Sequence, residues 1–310
     1  MDKQETTLKV CKWVGYALLA VYATATIAFL IAVTQLGVLP ATYLVITSVF
    51  LIIIGIIISF FHNRTILRSV IASVVTLLII ACFAISAFFV QQTNRTLEEI
   101  VTVKAQTDVE PPEELPSSFI MYISAIDTVD GNISTRSESN INILMVVNTV
   151  NREVLLLTTP RDAFIAFPAS GEAQDKLAHA GIYGVDQSIQ ALEALYDIHI
   201  DYFFRLNFTG FMDIQALIAE ATLVSLLMNY NSVLAIASDS FETNMPQEHI
   251  TALARMQLVS MTGWRIIPYT TIGHNDMAET FSMPGYSLYV THLNEESIEE
   301  AMRLIDETMR

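Results

Sequence analysis

Two long intervals without charge constrain this chain more than any other feature of its sequence. No Asp, Glu, Lys or Arg occurs between Lys12 and Arg64, and none occurs between Arg68 and Arg95. A helix that crosses a bilayer needs about 20 consecutive apolar residues. The intervals therefore predict three transmembrane helices, at about 14–36, 41–61 and 70–90.

The positive charges around these spans predict their orientation. Lys3, Lys9 and Lys12 precede the first span, and Arg64 and Arg68 lie between the second and the third. Lys and Arg concentrate on the cytoplasmic side of membrane proteins. We therefore expect a cytoplasmic N-terminus and an extracytoplasmic segment after residue 90. The first span is also too long for a cleavable signal core, so we expect it to remain in the protein.

The part that follows the spans is strongly acidic. Residues 91–310 carry 11 Lys and Arg against 30 Asp and Glu. Proteins that hold nucleic acid neutralise phosphates with Lys and Arg, so this composition argues against a nucleic-acid partner. The two cysteines, Cys11 and Cys82, lie in or beside the spans. The exported part therefore has neither a disulfide framework nor a thiolate metal site.

The pattern beyond the spans predicts a linker and then one α/β domain, with α+β as the alternative. Residues 91–118 are polar and contain three closely spaced prolines, which is typical of a spacer. Apolar runs at 119–126, 141–149 and 153–160 predict strands, the last two as an antiparallel hairpin. Helical spacing predicts one helix from Val185 to Tyr196, a second that buries Ile250, Leu253 and Met256, and a third that buries Ile298, Met302 and Ile305. Strands that alternate with helices predict a helix-covered sheet over 119–310.

Polar residues that follow the predicted strands are the candidates for chemistry. Arg161 and Asp162 come directly after the third strand, and a guanidinium there suits bidentate capture of a phosphate. Asp127, followed by Asp130, ends the first strand, where a carboxylate can hold Mg²⁺ beside a diphosphate. A surface ion pair and an ordinary Asp-Gly turn explain the same residues without a function.

Three further side chains are candidates for binding a phosphate or a leaving group. Lys176 and His179 precede the helix at Val185, and Arg205 lies on a predicted aromatic strand. A packed histidine whose hydrogen bonds are satisfied, and an arginine whose stem lies along the surface, are the corresponding structural explanations.

The sequence resembles the LytR-CpsA-Psr (LCP) family over about residues 119–293. The resemblance is carried in order by "YISAIDTVDGNIST", "NINILMVVN", "LLLTTPRDAFIAFP", the "DKLAHAGIYG" block with the helix after it, and "SDSFETNMPQEHITALARMQL". The "PRD" strand end and the "KLAHAGIYG" block are its specific motifs. The three spans also resemble those of streptococcal-type members.

The resemblance implies a membrane-anchored, extracytoplasmic phosphotransferase of the cell envelope. Such a protein moves a glycopolymer from undecaprenyl diphosphate to peptidoglycan in cell-wall or capsule assembly, with Mg²⁺ helping to hold the diphosphate. Arg161 would then clamp the diphosphate, Asp162 would orient Arg161, and Lys176, His179 and Arg205 would line the site. The older label for this domain is cell-envelope-related transcriptional attenuator.

The sequence departs from the family pattern at three places. Ala125 replaces the glycine of a Ser-Gly-Ile-Asp segment, and Glu138 and Asn140 replace the arginine and the aspartate of a Ser-Arg-Ser-Asp segment. An arginine-rich segment that members carry is missing after about residue 218. The departures leave Asp127 as the charged metal ligand and make catalytic activity uncertain.

Three functions therefore stay open. The first is a working glycopolymer phosphotransferase. The second is a degenerate copy that binds polyprenyl lipid or a partner protein without transfer. The third is an envelope signalling or attenuator protein.

Overall fold

The computed structural model describes residues 3–62, 65–102, 110–128, 132–133, 136–171, 173–219, 223–259 and 263–310. The chain divides into two compact units. One comprises residues 1–95 with 251–260, and the other comprises residues 96–250 with 261–310. Asp130, a sequence candidate, lies outside the described residues.

Three long apolar helices form the N-terminal part, as the charge-free intervals predict. They are α1 (Lys3–Leu36), α2 (Ala41–His62) and α3 (Ile66–Thr102). Each is long and apolar enough to cross a membrane. The break between α1 and α2 falls at Gly37, whose positive φ of 70° suits glycine, and at Pro40, directly before α2 begins at Ala41.

The linker predicted over 91–118 begins later than the sequence suggests. Helix α3 continues to Thr102, so residues 91–102 are helical and do not form an extended spacer. Ordinary helix formers such as Leu97, Glu98 and Glu99 follow the last apolar turn and extend the helix without a capping signal. Residues 103–109 lie outside the described part, and β1 begins at Ser118.

A six-stranded mixed sheet forms the centre of the second unit, in the order β7-β6-β1-β2-β3-β8. Its strands are β1 (Ser118–Ile126), β2 (Ser139–Asn148), β3 (Glu153–Thr158), β6 (Tyr202–Asn207), β7 (Phe241–Thr243) and β8 (Arg265–Thr270). β1, β2 and β3 pair antiparallel, which confirms the predicted hairpin, whereas β6 joins β1 and β8 joins β3 in parallel. β6, β1, β3 and β8 therefore run in one direction, and β2 and β7 run in the opposite direction.

Helices cover this sheet, as the sequence predicts. Those whose side chains join its core are α4 (Leu177–Tyr183), α5 (Val185–Tyr196) and α9 (Glu295–Met309), whereas α6 (Phe208–Ala219) follows β6, and α7 (Leu223–Ser240) and α8 (Gln247–Val259) precede and follow β7 along the chain. A single core joins the sheet to α4, α5 and α9, with Tyr122, Leu144, Leu155 and Ile189 completely buried in it. The last helix is also tied to the sheet by a bond from the Asn148 side-chain amide to the Thr308 carbonyl, 3.0 Å. The fold is therefore mixed α/β.

Two small antiparallel sheets lie outside the large one. The first pairs β4 (Phe164–Phe167) with β5 (Ala173–Lys176), and the second pairs β9 (Gly273–Thr280) with β10 (Met283–Leu293). The sequence reasoning did not predict β8, β9 or β10. β8 contains Pro268, and β9 is largely polar, so neither shows the apolar alternation that marks a strand.

Two predicted burial patterns have different outcomes. In α9, Ile305 is buried and Ile298 and Met302 pack against the core, as predicted. In α8, the prediction is wrong for Met256, which is 39% exposed. Helix α6 ends at Ala219 and α7 begins at Leu223, and residues 220–222 between them lie outside the described part, so the departure from the family pattern after about residue 218 stays a prediction.

Candidate functional site

The backbone around Arg161 is fixed on both sides of the strand end. After β3, the Thr159 hydroxyl lies 2.8 Å from the hydroxyl of Tyr196, and the Ala163 amide donates to the Pro160 carbonyl to close a turn. The Arg161 carbonyl accepts from the Ala178 amide at the start of α4, 2.8 Å. The core, through Tyr196, thus places the Arg161 side chain at the edge of the sheet.

The Arg161 guanidinium binds two side chains at the start of β2. Nη1 donates to Oδ1 of Asn140, and Nη2 forms an ion pair with Oε2 of Glu138. The Arg161 and Glu138 side chains are 42% and 41% exposed, so water still reaches the pair. The cation at the strand end is therefore already neutralised by a carboxylate of the chain itself.

A β-bulge brings Asn140 into reach of Arg161. In the β1–β2 ladder Ala125 pairs with Ile141, but the next residue, Ile126, pairs with Ser139, so Asn140 is the extra residue of β2. A bulge leaves the extra residue unpaired and redirects its side chain. Asn140, the position where the family pattern has a carboxylate, therefore faces the arginine.

Asp162 does not hold Arg161, so the predicted orienting contact is wrong. Its Oδ1 instead accepts from Nζ of Lys176 at 2.9 Å, and its carbonyl accepts from the Thr291 amide at 2.8 Å. Both side chains of this pair are mostly buried. The structure therefore brings Lys176 and Asp162 together as a tie between the turn and the end of β5.

His179 lies between the Arg161 pair and a buried carboxylate. Its Nδ1 is 2.6 Å from Oδ1 of Asp175 and 2.8 Å from the Ser282 hydroxyl, and its Nε2 is 3.9 Å from Oε1 of Glu138. Because Asp and Ser approach the same ring nitrogen, this is not the arrangement of a nucleophilic triad, in which they occupy opposite nitrogens. His179 acts here as a link between buried and exposed polar groups.

Asp175 is the functional-site residue that sequence reasoning missed. Burial raises the pKa of this carboxyl, but hydrogen bonds from His179, from the Ser282 hydroxyl and amide and from the Lys176 amide outweigh burial and hold the pKa below its ordinary value. Asp175 is fully buried and ionised, which favours a fixed orientation of His179. A carboxylate next to Lys176 and four residues before His179 was the available signal.

Gly181 allows α4 to approach the start of β2. A Cβ atom at this position would lie 2.7 Å from the Ser137 carbonyl and 2.8 Å from the Ser139 amide. Such contacts are too short for any side chain, so another residue would push α4 outward. Gly181 thereby sets the distance between His179 and Glu138.

Arg205 lies in a buried ion pair. Among the described residues, no hydrogen bond joins it to the other candidate side chains, Arg161, Lys176 and His179. Its Nη1 is 3.2 Å from Oε2 of Glu242 on β7, and both side chains are nearly inaccessible. Burial raises the pKa of Glu242, and the Arg205 charge opposes this shift. Arg205 is therefore committed to an internal partner.

Asp127 follows β1 directly and is exposed. Its Oδ1 accepts from the Thr209 hydroxyl at 3.0 Å, and its carbonyl accepts from the Ser137 hydroxyl at 2.8 Å. Among the described residues no group of three or more His, Cys, Asp or Glu lies close enough to hold a metal. The Asn140 oxygen already faces the Arg161 cation. The described residues thus fit Mg²⁺ poorly, and Asp127 as a metal ligand stays a prediction.

The chain is a mixed α/β protein with a candidate membrane anchor. It combines three apolar helices with a helix-covered sheet that presents an arginine at a strand end. Residues 87–215 match the model of the LytR_cpsA_psr family. Residues 87–215 therefore carry the match to the LytR-CpsA-Psr family, which confirms the resemblance over this part of the chain.

Curated proteins are similar to part of this chain. The chain is 31% identical over 156 residues to the polyisoprenyl-teichoic acid–peptidoglycan teichoic acid transferase TagT of Bacillus subtilis, covering 47% of each chain. It is 28% identical over 147 residues to the transferase TagU of Bacillus cereus, covering 46% of this chain and 48% of the relative. The matches thus span about half the length of these relatives.

Solved structures were also found to be similar. One is the LytR-CPS2A-psr family protein YwtF (TagT) with bound octaprenyl pyrophosphate lipid, at 19% identity and a TM-score of 0.45, covering 67% of this chain and 98% of that one. Another is Bacillus subtilis TagV, at 15% identity and a TM-score of 0.48, covering 62% of this chain and 97% of that one.

Proposed function

We propose that this chain works in cell-envelope assembly on a glycopolymer carried by undecaprenyl diphosphate. The family reaction would transfer the polymer to peptidoglycan, in the assembly of cell wall or capsule. The family domain and the printed names of the relatives, which are polyisoprenyl-teichoic acid–peptidoglycan transferases, support this class of substrate. The acidic surface of residues 91–310 is also compatible with a cell-surface domain.

The observation that carries the proposal is the placement of Arg161. It lies at the end of a buried strand, on a backbone anchored by Tyr196 and by α4, with its guanidinium partly exposed. A guanidinium forms bidentate, charge-assisted hydrogen bonds with phosphate oxygens. Arg161 would therefore bind the diphosphate, with Lys176 and His179 as neighbours in the site.

A second candidate function is binding without transfer, and the Arg161–Glu138 ion pair favours it. Transfer of a phosphoryl-linked group depends on several positive charges at one point. Here Glu138 neutralises Arg161, Asn140 stands where the family has a carboxylate, and Arg205 is paired with Glu242. We therefore expect the chain to bind the lipid carrier better than it catalyses transfer. No contact of the described residues favours the attenuator function.

The proposed location is the cell membrane, with the N-terminus in the cytoplasm and the family domain outside the cell. The three apolar helices provide the anchor. The orientation rests on Lys3, Lys9 and Lys12 before the first span and on Arg64 and Arg68 after the second. In this orientation the Arg161 site is on the side where peptidoglycan is found.

The proposal is tested with the full chain in nanodiscs. A titration with a polyprenyl diphosphate should show binding, and Arg161→Ala should weaken it by about 1.5 to 3 kcal/mol because a charge-assisted contact is lost. Arg265→Ala is the matched control, since Arg265 is an exposed arginine paired with Glu153 in the same domain. Equal affinity of the wild type and Arg161→Ala would exclude Arg161 from the site.

A transfer assay separates the two candidate functions. It uses a lipid-diphosphate sugar donor and a peptidoglycan fragment, with and without Mg²⁺. Turnover by the wild type that Arg161→Ala abolishes would establish the transferase and refute the non-catalytic candidate. Binding without turnover would establish the non-catalytic candidate.

A further inference from the structure

A small pocket with aromatic walls lies beside the His179 network. It is a cavity of about 250 Å³ lined by Phe167, Ser170, Tyr183, Gln187 and Phe281, and we name it the aromatic pocket. Its residues come from β4, the turn after β4, α4, α5 and the β9–β10 turn. Three stretches of the chain, 167–170, 183–187 and the β9–β10 turn, therefore converge on it.

The two outer rings of the aromatic pocket are open to solvent. Tyr183 is 43% exposed and Phe281 is 50% exposed, whereas Phe167 is buried and forms the base. Single exposed apolar side chains are common on protein surfaces, but rings that face one cavity from two elements are typical of a ligand site. The core does not account for these two rings.

The walls of the pocket are held by hydrogen bonds to the backbone. The Phe281 amide donates to the Gln174 carbonyl at 3.0 Å, and the amide of the next residue, Ser282, donates to Oδ2 of the buried Asp175 at 2.8 Å. On the opposite side, the Ser170 hydroxyl donates to the Phe167 carbonyl at 2.9 Å. Fixed walls lower the entropy that a ligand must lose to order its site.

The chemistry of the lining selects the class of ligand. The five lining side chains are two phenylalanines, a tyrosine, a glutamine and a serine, so the lining carries no charge at neutral pH. Among these described lining residues a phosphate or a carboxylate would find no cation. A sugar ring presents an apolar C–H face that stacks on an aromatic ring and hydroxyl groups that bond to amide and hydroxyl side chains. The volume suits one such ring rather than a long chain.

We propose that the aromatic pocket is a sugar subsite that binds one ring of the glycan whose phosphate is bound at Arg161. This inference rests on the proposed function and adds the position of the sugar. The contacts between the two places are continuous. Ser282 follows Phe281 and bonds to His179, and His179 lies 3.9 Å from Glu138, the partner of Arg161. Tyr183 lies one helical turn after His179 on α4.

The experiment uses the full chain in nanodiscs and a phosphate-free disaccharide of N-acetylglucosamine as the probe. Binding is measured by saturation-transfer NMR and by titration. Phe281→Ala and Tyr183→Ala should each weaken the affinity by about five- to ten-fold, because each removes one stacking surface. Tyr286→Ala is the matched control, since Tyr286 is an exposed ring on the same hairpin outside the pocket, and it should leave the affinity unchanged.

Arg161→Ala distinguishes failure of this inference from failure of the proposed function. It should leave the affinity for the phosphate-free disaccharide unchanged while it weakens binding of polyprenyl diphosphate. No disaccharide binding by a wild type that binds polyprenyl diphosphate would overturn the sugar subsite and keep the proposed function. Disaccharide binding that Phe281→Ala and Tyr183→Ala leave unaltered would also overturn the subsite. Disaccharide binding without any binding of polyprenyl diphosphate would support the subsite and refute the proposed function.

Discussion

Replacing Glu138 with glutamine should strengthen the binding of a diphosphate. The Glu138 carboxylate is paired with Arg161 and lies near His179, so it occupies the position that a phosphate would take. A diphosphate must displace this carboxylate or bind beside it. Glutamine keeps the size and the hydrogen-bonding oxygen of glutamate but removes the negative charge, so the substitution tests the charge alone.

The magnitude follows from two contributions. Breaking a solvent-exposed ion pair such as Arg161–Glu138 costs about 0 to 1 kcal/mol, and this cost disappears in the variant. Two like charges about 4 Å apart repel by about 1 kcal/mol in water. The partial exposure of both side chains favours the value for water over that for a protein interior. The two contributions belong to alternative binding modes and do not add, so they predict a gain of about 1 kcal/mol, or about five-fold in affinity.

The assay is a titration of the full chain in nanodiscs with inorganic pyrophosphate and with a polyprenyl diphosphate, at two salt concentrations. Glu153→Gln is the matched control, because Glu153 pairs with the exposed Arg265 on the same domain and its loss changes the net charge equally. The gain for Glu138→Gln should shrink at high salt, which screens exposed charges. Unchanged affinity, or an equal gain in the Glu153→Gln control, would refute competition by Glu138.

Three further predictions concern stability and topology. Arg205→Met should lower the free energy of unfolding, measured by chemical denaturation, by about 3 to 5 kcal/mol, because it leaves Glu242 unpaired, and adding Glu242→Leu should restore most of the loss. If Arg205 instead bound the diphosphate, both variants would show a lower affinity for the diphosphate. Because the pKa of Asp175 is lowered, its ionised form stabilises the fold at neutral pH, and this stabilisation is lost as the pH falls below the ordinary pKa of 3.8. Asp175→Asn should therefore lower the thermal midpoint at neutral pH and make the midpoint fall less steeply in acid. Parallel plots of the midpoint against pH for the wild type and the variant would contradict this. In intact cells an impermeant thiol reagent should label Val150→Cys, an exposed position in the domain, but not Cys11, and the reverse pattern would invert the topology.

The sequence predicted the elements with strong local patterns. The apolar runs that became β1, β2 and β3, and the helical spacing of α5 and α9, bury side chains on a regular period and are confirmed. The position of Arg161 at a strand end follows from the same pattern. β8 and β9 were missed because long-range pairing, rather than an apolar period, stabilises them.

The contacts within the site could not be predicted from sequence distance. Arg161 and Asp162 are neighbours, but the first pairs with Glu138 and the second with Lys176, because adjacent side chains leave the backbone in different directions. Asp175 and Ser282 are 107 residues apart and meet only when the β9–β10 turn lies against β5. Non-local contacts of this kind depend on the whole fold.

Pro268 in β8 affects the tendency of copies of this chain to associate with one another at high concentration. β8 is an edge strand of the large sheet, and one side of its backbone faces away from β3. An open strand edge invites another strand to add to it, which leads to aggregation. Pro268 lacks an amide hydrogen, so it interrupts the row of donors that an incoming strand would need. We therefore expect Pro268→Val to leave the domain folded but to increase its self-association at high concentration.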